Sequence, residues 1–436
     1  MIRNNKELSD SASKKYALDI LKAGINAVMP KNVIKKQVFL KKNKLILKNK
    51  EIDLKKYKRI IVIGFGKASS DMALALENIL KSKIKKGVVI STKPVKLKRI
   101  KQVKGDHPVP SKANIKGAKK ILKLVSNLNK DALVICLVSG GGSAIFTLPA
   151  ENITLNDMKK MTDLLLKSGA AINEINVVRK HISAVKGGQL AKKVGKATLI
   201  SLIISDVIGD NLDIIASGPT AADGSTFRTA YNILRKYSLL KKTPKRILEH
   251  IKKGLAKEIA DTPKNLPKTV KNILIGNNKL ALEGMAEKAK KLGLKPKILT
   301  SHLRGEARVI GENISKKLKM LKPKEVLILG GETTVTVRGK GLGGRNQELV
   351  LSAVNKIKNL ENTALASVCT DGIDYYKAAG AVIDENSYAR CKDLKLSPKK
   401  YLANNDSFPI LKKIKALIFT GYTGTNVCDI IVALKL

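Results

Sequence analysis

The stretch LILGGETTVTVRGKGLGGRNQEL, Leu327 to Leu349, decides how this chain is read. It follows the apolar run 326–329, a buried strand that stops at Gly330-Gly331. Thr333 to Arg338 alternates β-branched and polar residues, as a second strand would. Gly339, Gly341, Gly343 and Gly344 then let backbone N–H groups converge without Cβ interference, which suits a phosphate or an oxyanion. Arg345-Asn346-Gln347-Glu348 opens an apolar helix, 349–354. An arginine at a helix start opposes the positive end of the helix dipole unless an anion lies between them. The plainer alternative is a glycine-rich hairpin with a solvated arginine. Glycine loop, helix start and fork-shaped cation coincide here, and together they favour an anion site.

The same pattern recurs upstream. Residues 58–63 read as a strand closed by Gly64-Phe65-Gly66-Lys67, with a helix over 68–80. Strand, glycine turn and helix begin a doubly wound α/β unit. The turn lacks P-loop spacing, and Ser69 stands at the third glycine position of a dinucleotide fingerprint. Lys67, like Arg345, is a cation at a helix N-terminus. Residues 132–138 form the most strand-like run and lead into Ser139-Gly140-Gly141-Gly142-Ser143, bare amides at the carboxyl end of a strand. A capping box at Thr154 and Asp157 predicts a helix to Lys167. The strand 198–204 ends in Ser205-Asp206, with Asp210 and Asp213 following. Carboxylates there suit a Mg²⁺–phosphate complex or a general base. Asn176, Arg179, Lys180 and Ser183 share one helical face, either solvated or built to bind a carboxylate. His107, in the loop 105–110, is a candidate substrate contact.

A chain of 436 residues accommodates two or three domains. No apolar run approaches the ~20 residues that span a bilayer, and the polar start 1–10 is unlike a secretory signal. Four scattered cysteines without a C-x-x-C pair indicate reduced core residues of a cytoplasmic protein. The formal charge of +49 raises nucleic-acid binding. The lysines, however, are spread over almost every helix, and no aromatic residues interleave them to stack bases, so small anions are the expected ligands. The Pro-punctuated segment 236–270 reads as a helical connector near the domain boundary, giving domains 1–240 and 241–436.

Eight motifs, in order, resemble the glycerate 2-kinase family, whose C-terminal part is the MOFRL domain (here about 325–436). They are IGFGKAS (63–69), DHPVPS (106–111), LVSGGGSA (137–144), INEINVVRKHISAVKGG (172–188), SDVIGDNLDIIASGPT (205–220), GGETTVTVRGKGLGGRNQE (330–348), TDGID (370–374) and TGYTGTNVCD (420–429). The resemblance implies two α/β domains, an N-terminal Rossmann-like parallel sheet and a smaller C-terminal α/β domain, with the active site in the cleft between them. It implies transfer of the γ-phosphoryl group of ATP, with Mg²⁺, to the 2-hydroxyl of D-glycerate. It makes Lys67 and Arg345 essential, with Asp206 beside them. The expected nucleotide contacts are Gly64, Gly66, Ser139, Gly140, Gly141, Gly142, Ser143, Gly343, Gly344, Asn346, Asp371, Thr423, Thr425 and Asn426. Asn176, Arg179, Lys180 and His107 are the expected substrate contacts, and Asp206 with Asp210 the metal ligands. No membrane or specific nucleic-acid partner is expected, and a homodimer is. Tyr375-Tyr376-Lys377 stands where the family carries a Gly-Pro-Thr-Asp-type segment, Tyr422 replaces a common proline and Cys428 an asparagine. Two other readings stay open: an NAD(P)H-dependent hydroxypyruvate reductase, opposed by the incomplete fingerprint, and a kinase acting at the 3-hydroxyl. A non-catalytic basic binding protein would leave the aspartate-bearing strand ends without a purpose.

Overall fold

The computed structural model describes all 436 residues and divides into two compact units. One is Val33–Ile275; the other joins Met1–Asn32 to Gly276–Leu436. The division therefore falls at 32/33 and 275/276, not near 240. Helix Lys245–Leu255 stays with the first unit because Ile247 and Ile251 are buried in a cluster with Phe227, Ile233 and Leu234. The N-terminal helix Ala12–Ala27 belongs to the second unit, where it packs closely on helix Asn278–Lys291. Small residues permit that approach: a Cβ on Gly284 would meet the Ala27 Cβ at 2.6 Å. No helix is long and apolar enough to cross a membrane.

The first unit carries a six-stranded sheet in the order Ile100–Lys104, Ile84–Ser91, Arg59–Phe65, Ala132–Val138, Thr198–Ile204, Val270–Gly276. The first five are paired in parallel. Every residue of Ala132–Val138 is buried, as expected for a parallel strand covered on both faces. The chain winds outward from Arg59–Phe65 to one edge, then crosses back and winds outward from Ala132–Val138 to the other. Ligands of open α/β sheets bind outside the carboxyl ends of the strands at such a reversal, and both the Lys67 turn and the triple-glycine loop lie there. The Thr154–Asp157 capping box opens helix Leu155–Lys167 as predicted. Segment 38–53 forms a three-stranded antiparallel sheet.

The second unit is built on a mixed sheet in the order Lys295–Leu303, Glu325–Gly331, Asp429–Lys435, Thr363–Cys369, Gly380–Asp384, Leu417–Ile418. Only the first pair is parallel. Gly331 and Cys369 both sit opposite Asp429, so two strand ends and one strand start share an edge. The expected strand over 333–338 is absent. Its polar groups bond to loops instead: Thr334 N–H to the Gly305 carbonyl, Thr336 N–H to the Glu306 carboxylate, Arg338 N–H to the Asn405 side chain. The following helix starts at Arg345 itself, Arg345–Ala353.

Candidate active site

In the first unit the two loops at the sheet's reversal are bonded to each other. Lys67 N–H donates to the Gly140 carbonyl at 2.9 Å, Ala68 N–H to Ser139 Oγ at 3.0 Å, and Ser139 N–H to the Phe65 carbonyl at 3.2 Å. Gly66 has φ +122°, and any Cβ there would strike Ser139. A Cβ on Gly140 would run into the Asp206 carboxylate. One on Gly141 would meet the His107 ring at 2.9 Å and Lys67 Cγ at 3.2 Å. Lys67, His107 and Asp206, far apart in sequence, thus surround a short length of bare backbone. The N–H groups of Gly140 and Gly141 donate to no protein acceptor, whereas Gly142 N–H bonds to Ser139. Gly64 serves strand packing, since a Cβ would meet Leu137 Cβ at 2.9 Å. Ser139 is a buried brace whose hydroxyl is committed to Ala68.

The far side of this loop is held by helix Ile172–His181 and its sequel. Arg179 Nη2 donates to the Ser143 carbonyl at 3.3 Å, and Lys186 Nζ donates to the same carbonyl at 2.6 Å and to that of Phe146 at 3.1 Å. Ser143 Oγ bonds to Ser217 Oγ at 2.8 Å, and Ser217 donates to Asn176 Oδ1 at 3.2 Å. Asn176 is buried, so its side chain supports the loop. Burial lowers the Arg179 pKa, and burial together with the Arg179 charge holds Lys186 well below the ordinary lysine value. Lys180, expected as a carboxylate contact, is instead buried in ion pairs with Asp213 at 3.1 Å and Asp223 at 3.2 Å. Its charge is balanced inside the protein. Asp210 occupies a positive-φ turn after Asp206. No group of three or more His, Cys, Asp or Glu side chains is arranged to hold a metal ion. A cavity of about 840 Å³ lies elsewhere in this unit, lined by Lys180, His181, Phe227 and His250 among others.

In the second unit Arg345 is gripped by acids. Its Nε and Nη2 bond to the Asp429 carboxylate at 2.6 and 3.0 Å, and Nη1 pairs with Glu332 at 2.7 Å. Burial opposes its charge, but Asp429 and Glu332 raise the guanidinium pKa above its ordinary value. The counter-charge that a cation at this helix start requires is therefore supplied by the protein. Asp374 supplies another anion at the same place. It accepts from Asn346 N and Gln347 N at 3.2 Å, and from the two side-chain amides at 3.1 and 3.2 Å. Burial and the neighbouring Asp429 push Asp374 up to about 6. Burial likewise raises Glu332, with Asp429 and Asp371 reinforcing it against Arg345.

A pocket of about 460 Å³ lies beside Arg345, lined by Glu332, Thr333, Gly343, Gly344, Glu348 and Asp374 among others. The amides of the preceding glycine loop already have protein acceptors: Gly339 on Asn405, Lys340 and Gly341 on Asn404, Leu342 on Asp406. That part of the loop does not present its amides to a ligand, contrary to expectation. Asn346 is buried between Asp374 and Ser367. Asp371 accepts from the Cys369 thiol and Ile373 N. Thr423 donates to the Thr370 carbonyl, Thr425 to that of Val28, and Asn426 accepts from Cys428 N, so these side chains tie the turn to neighbouring segments. Tyr376 and Lys377 take positive φ, and the variant segment closes through Asp374 N–H to the Ala378 carbonyl at 2.8 Å. Glu332, Asp374, Asp429, Lys186 and Ser217 are site residues that residue patterns did not single out. Glu332 and Asp429 share one signal, position at the end or start of a strand.

A domain of unknown function, DUF4147, matches residues 16–252, and the MOFRL family matches residues 325–429. Glycerate 2-kinase of Pyrococcus horikoshii is 42% identical over 432 residues, 97% of each chain. The crystal structure of glycerate kinase from Thermotoga maritima superposes with a TM-score of 0.87 at 39% identity, covering 97% of this chain and 99% of that one. A protein of Agrobacterium vitis carrying a hydroxypyruvate reductase name is 38% identical over 385 residues, 85% of this chain and 86% of its own. Match and relatives extend over nearly the whole chain, and the protein belongs to the glycerate 2-kinase family.

Proposed function

We propose that this protein transfers the γ-phosphoryl group of ATP to the 2-hydroxyl of D-glycerate, giving 2-phosphoglycerate and ADP. The observation that carries the reading is the meeting of Lys67 and Asp206 at the bare backbone of Gly140-Gly141, outside the carboxyl ends of the two central strands. Phosphoryl transfer asks for positioning and charge neutralisation more than covalent chemistry. Two amides without protein acceptors suit phosphate oxygens, and the Lys67 ammonium neutralises the charge that develops on the transferring group. In the other unit the Arg345 guanidinium is likewise a cation at a helix start, its plane fixed by the two-point bond to Asp429. Asp206 orients or deprotonates the attacking hydroxyl. Its hard carboxylate oxygens also fit Mg²⁺, which takes one or two carboxylates and completes its shell with water and phosphate. Bound there, the ion would neutralise phosphate charge.

Phosphorus NMR of the products from ATP and D-glycerate tests the assignment. The expected spectrum shows ADP and 2-phosphoglycerate. A 3-phosphoglycerate signal would overturn the position. No transfer, together with NAD(P)H oxidation by hydroxypyruvate, would establish the reductase reading instead.

A further inference from the structure

We infer that Ser91, the last residue of strand Ile84–Ser91, is a positioning residue for Lys67: its hydroxyl fixes the peptide that carries the lysine. This rests on the kinase reading, in which the Lys67 ammonium acts on the transferring phosphoryl group. The helix after the lysine, Ser69–Leu80, takes up carbonyls from Ala68 onward, Met72 N–H bonding to Ala68 at 3.0 Å. The Lys67 carbonyl lies just outside that ladder. Ser91 Oγ donates to it at 3.1 Å. Ser91 itself is wholly buried, paired in register with Lys104, and its carbonyl accepts from Gly105 N–H at 3.0 Å. The hydroxyl therefore projects from a strand end that is held on its own account.

The Lys67 N–H is held from the opposite side, by the Gly140 carbonyl at 2.9 Å. These two groups flank the Lys67 Cα, and together they fix both backbone angles there. The lysine stem is long and flexible, so the place its ammonium can reach depends on how firmly that Cα is set. Gly66 precedes it at φ +122°, and glycine gives the turn little stiffness of its own. A carbonyl left without its donor in a buried turn rotates toward another partner, and the side chain turns with it. The plainer role is structural, one more satisfied carbonyl. Attachment of the turn to the strand, however, is already provided: Gly66 N–H donates to the Ile90 carbonyl at 3.2 Å, and Ser69 Oγ lies 2.9 Å from the carbonyls of both Gly66 and Ile90. What Ser91 adds is the bond at Lys67 itself.

The test is steady-state kinetics of the full-length chain with ATP and D-glycerate, comparing Ser91→Ala in the unsubstituted and Lys67→Ala backgrounds. Alone, Ser91→Ala should lower kcat about 10-fold or more while the KM values for ATP and D-glycerate stay within about twofold, since misplacing a reacting group costs rate before it costs ground-state binding. In the Lys67→Ala background it should change kcat by less than about twofold, because no ammonium remains to be placed. A merely structural role would lower both backgrounds equally. Ser91→Cys keeps the shape with a weak donor and should lose most of the same rate; it carries the test if Ser91→Ala does not fold by circular dichroism. An unchanged kcat, a rise in either KM at constant kcat, or equal losses in the two backgrounds would each overturn the inference. If the unsubstituted protein fails to phosphorylate D-glycerate, or Lys67→Ala keeps full activity, the proposed function fails first and this inference falls with it.

Discussion

Lys67 and Asp206 could be found in the sequence because each follows an apolar strand directly, and strand ends are where α/β sheets place chemistry. The partners of Arg345 could not. Asp429 and Glu332 reach it through the register of an antiparallel pair, Gly331 opposite Asp429, which no local pattern announces. Asp374 is similar: four N–H donors of Asn346 and Gln347 converge on it, and only the fold brings them there. Its elevated pKa has a consequence for stability. The folded value of about 6 exceeds the ordinary 3.8, so the native state holds this proton more tightly than the unfolded chain. Its contribution is thus fully present below pH 3.8 and is lost as pH rises through about 6, with a slope of at most about 1.4 kcal/mol per pH unit. Urea unfolding between pH 4 and 7 should show this component, and Asp374→Asn should remove it. An identical pH slope in the variant would contradict the assignment.

Among the elements, Ala132–Val138 and Thr198–Ile204 match their sequence reading because an uninterrupted apolar run has one outcome in a sheet covered on both faces. The run 333–338 misleads because alternation is a statement about two faces. This segment has loops on hand to satisfy its polar groups, Glu306 on one side and Asn405 on the other. The triple-glycine loop reads correctly in place and only partly in purpose. Gly140 and Gly141 keep their amides available, but Gly142 begins a helical turn and Ser139 braces the neighbouring loop. Gly140→Ala tests the loop, since its Cβ must displace the Asp206 carboxylate. Crowding of this kind costs about 1–3 kcal/mol. The variant should fold with a modestly lowered Tm and lose kcat by about 100-fold or more, because a displacement of about 1 Å at a reacting group has effects of that size. Unchanged kcat would separate Asp206 from the reaction.

At the scale of the whole molecule, the N-terminal helix joins the C-terminal unit, and the connector 236–270 stays with the first. Neither assignment was legible. Proline and lysine content marks a surface segment but not the core it serves, and the seat of Ala12–Ala27 depends on a close helix contact at Ala27 and Gly284. Gly284→Val should therefore destabilise the protein by about 1–3 kcal/mol, read as a lower urea midpoint, by pushing that helix away. An unchanged midpoint would show that the contact is dispensable. The central claim is that Lys67 and Asp206, which meet at the bare backbone of Gly140-Gly141, act on one phosphoryl transfer. The most direct test is a double-mutant cycle on kcat/KM with Lys67→Ala and Asp206→Asn, using ATP and D-glycerate. Each single variant should lose about 10²-fold or more, and the double variant should lose less than the product of the two, a coupling of at least about 1 kcal/mol. Fully additive losses, or either single variant within twofold of the unsubstituted protein, would contradict it.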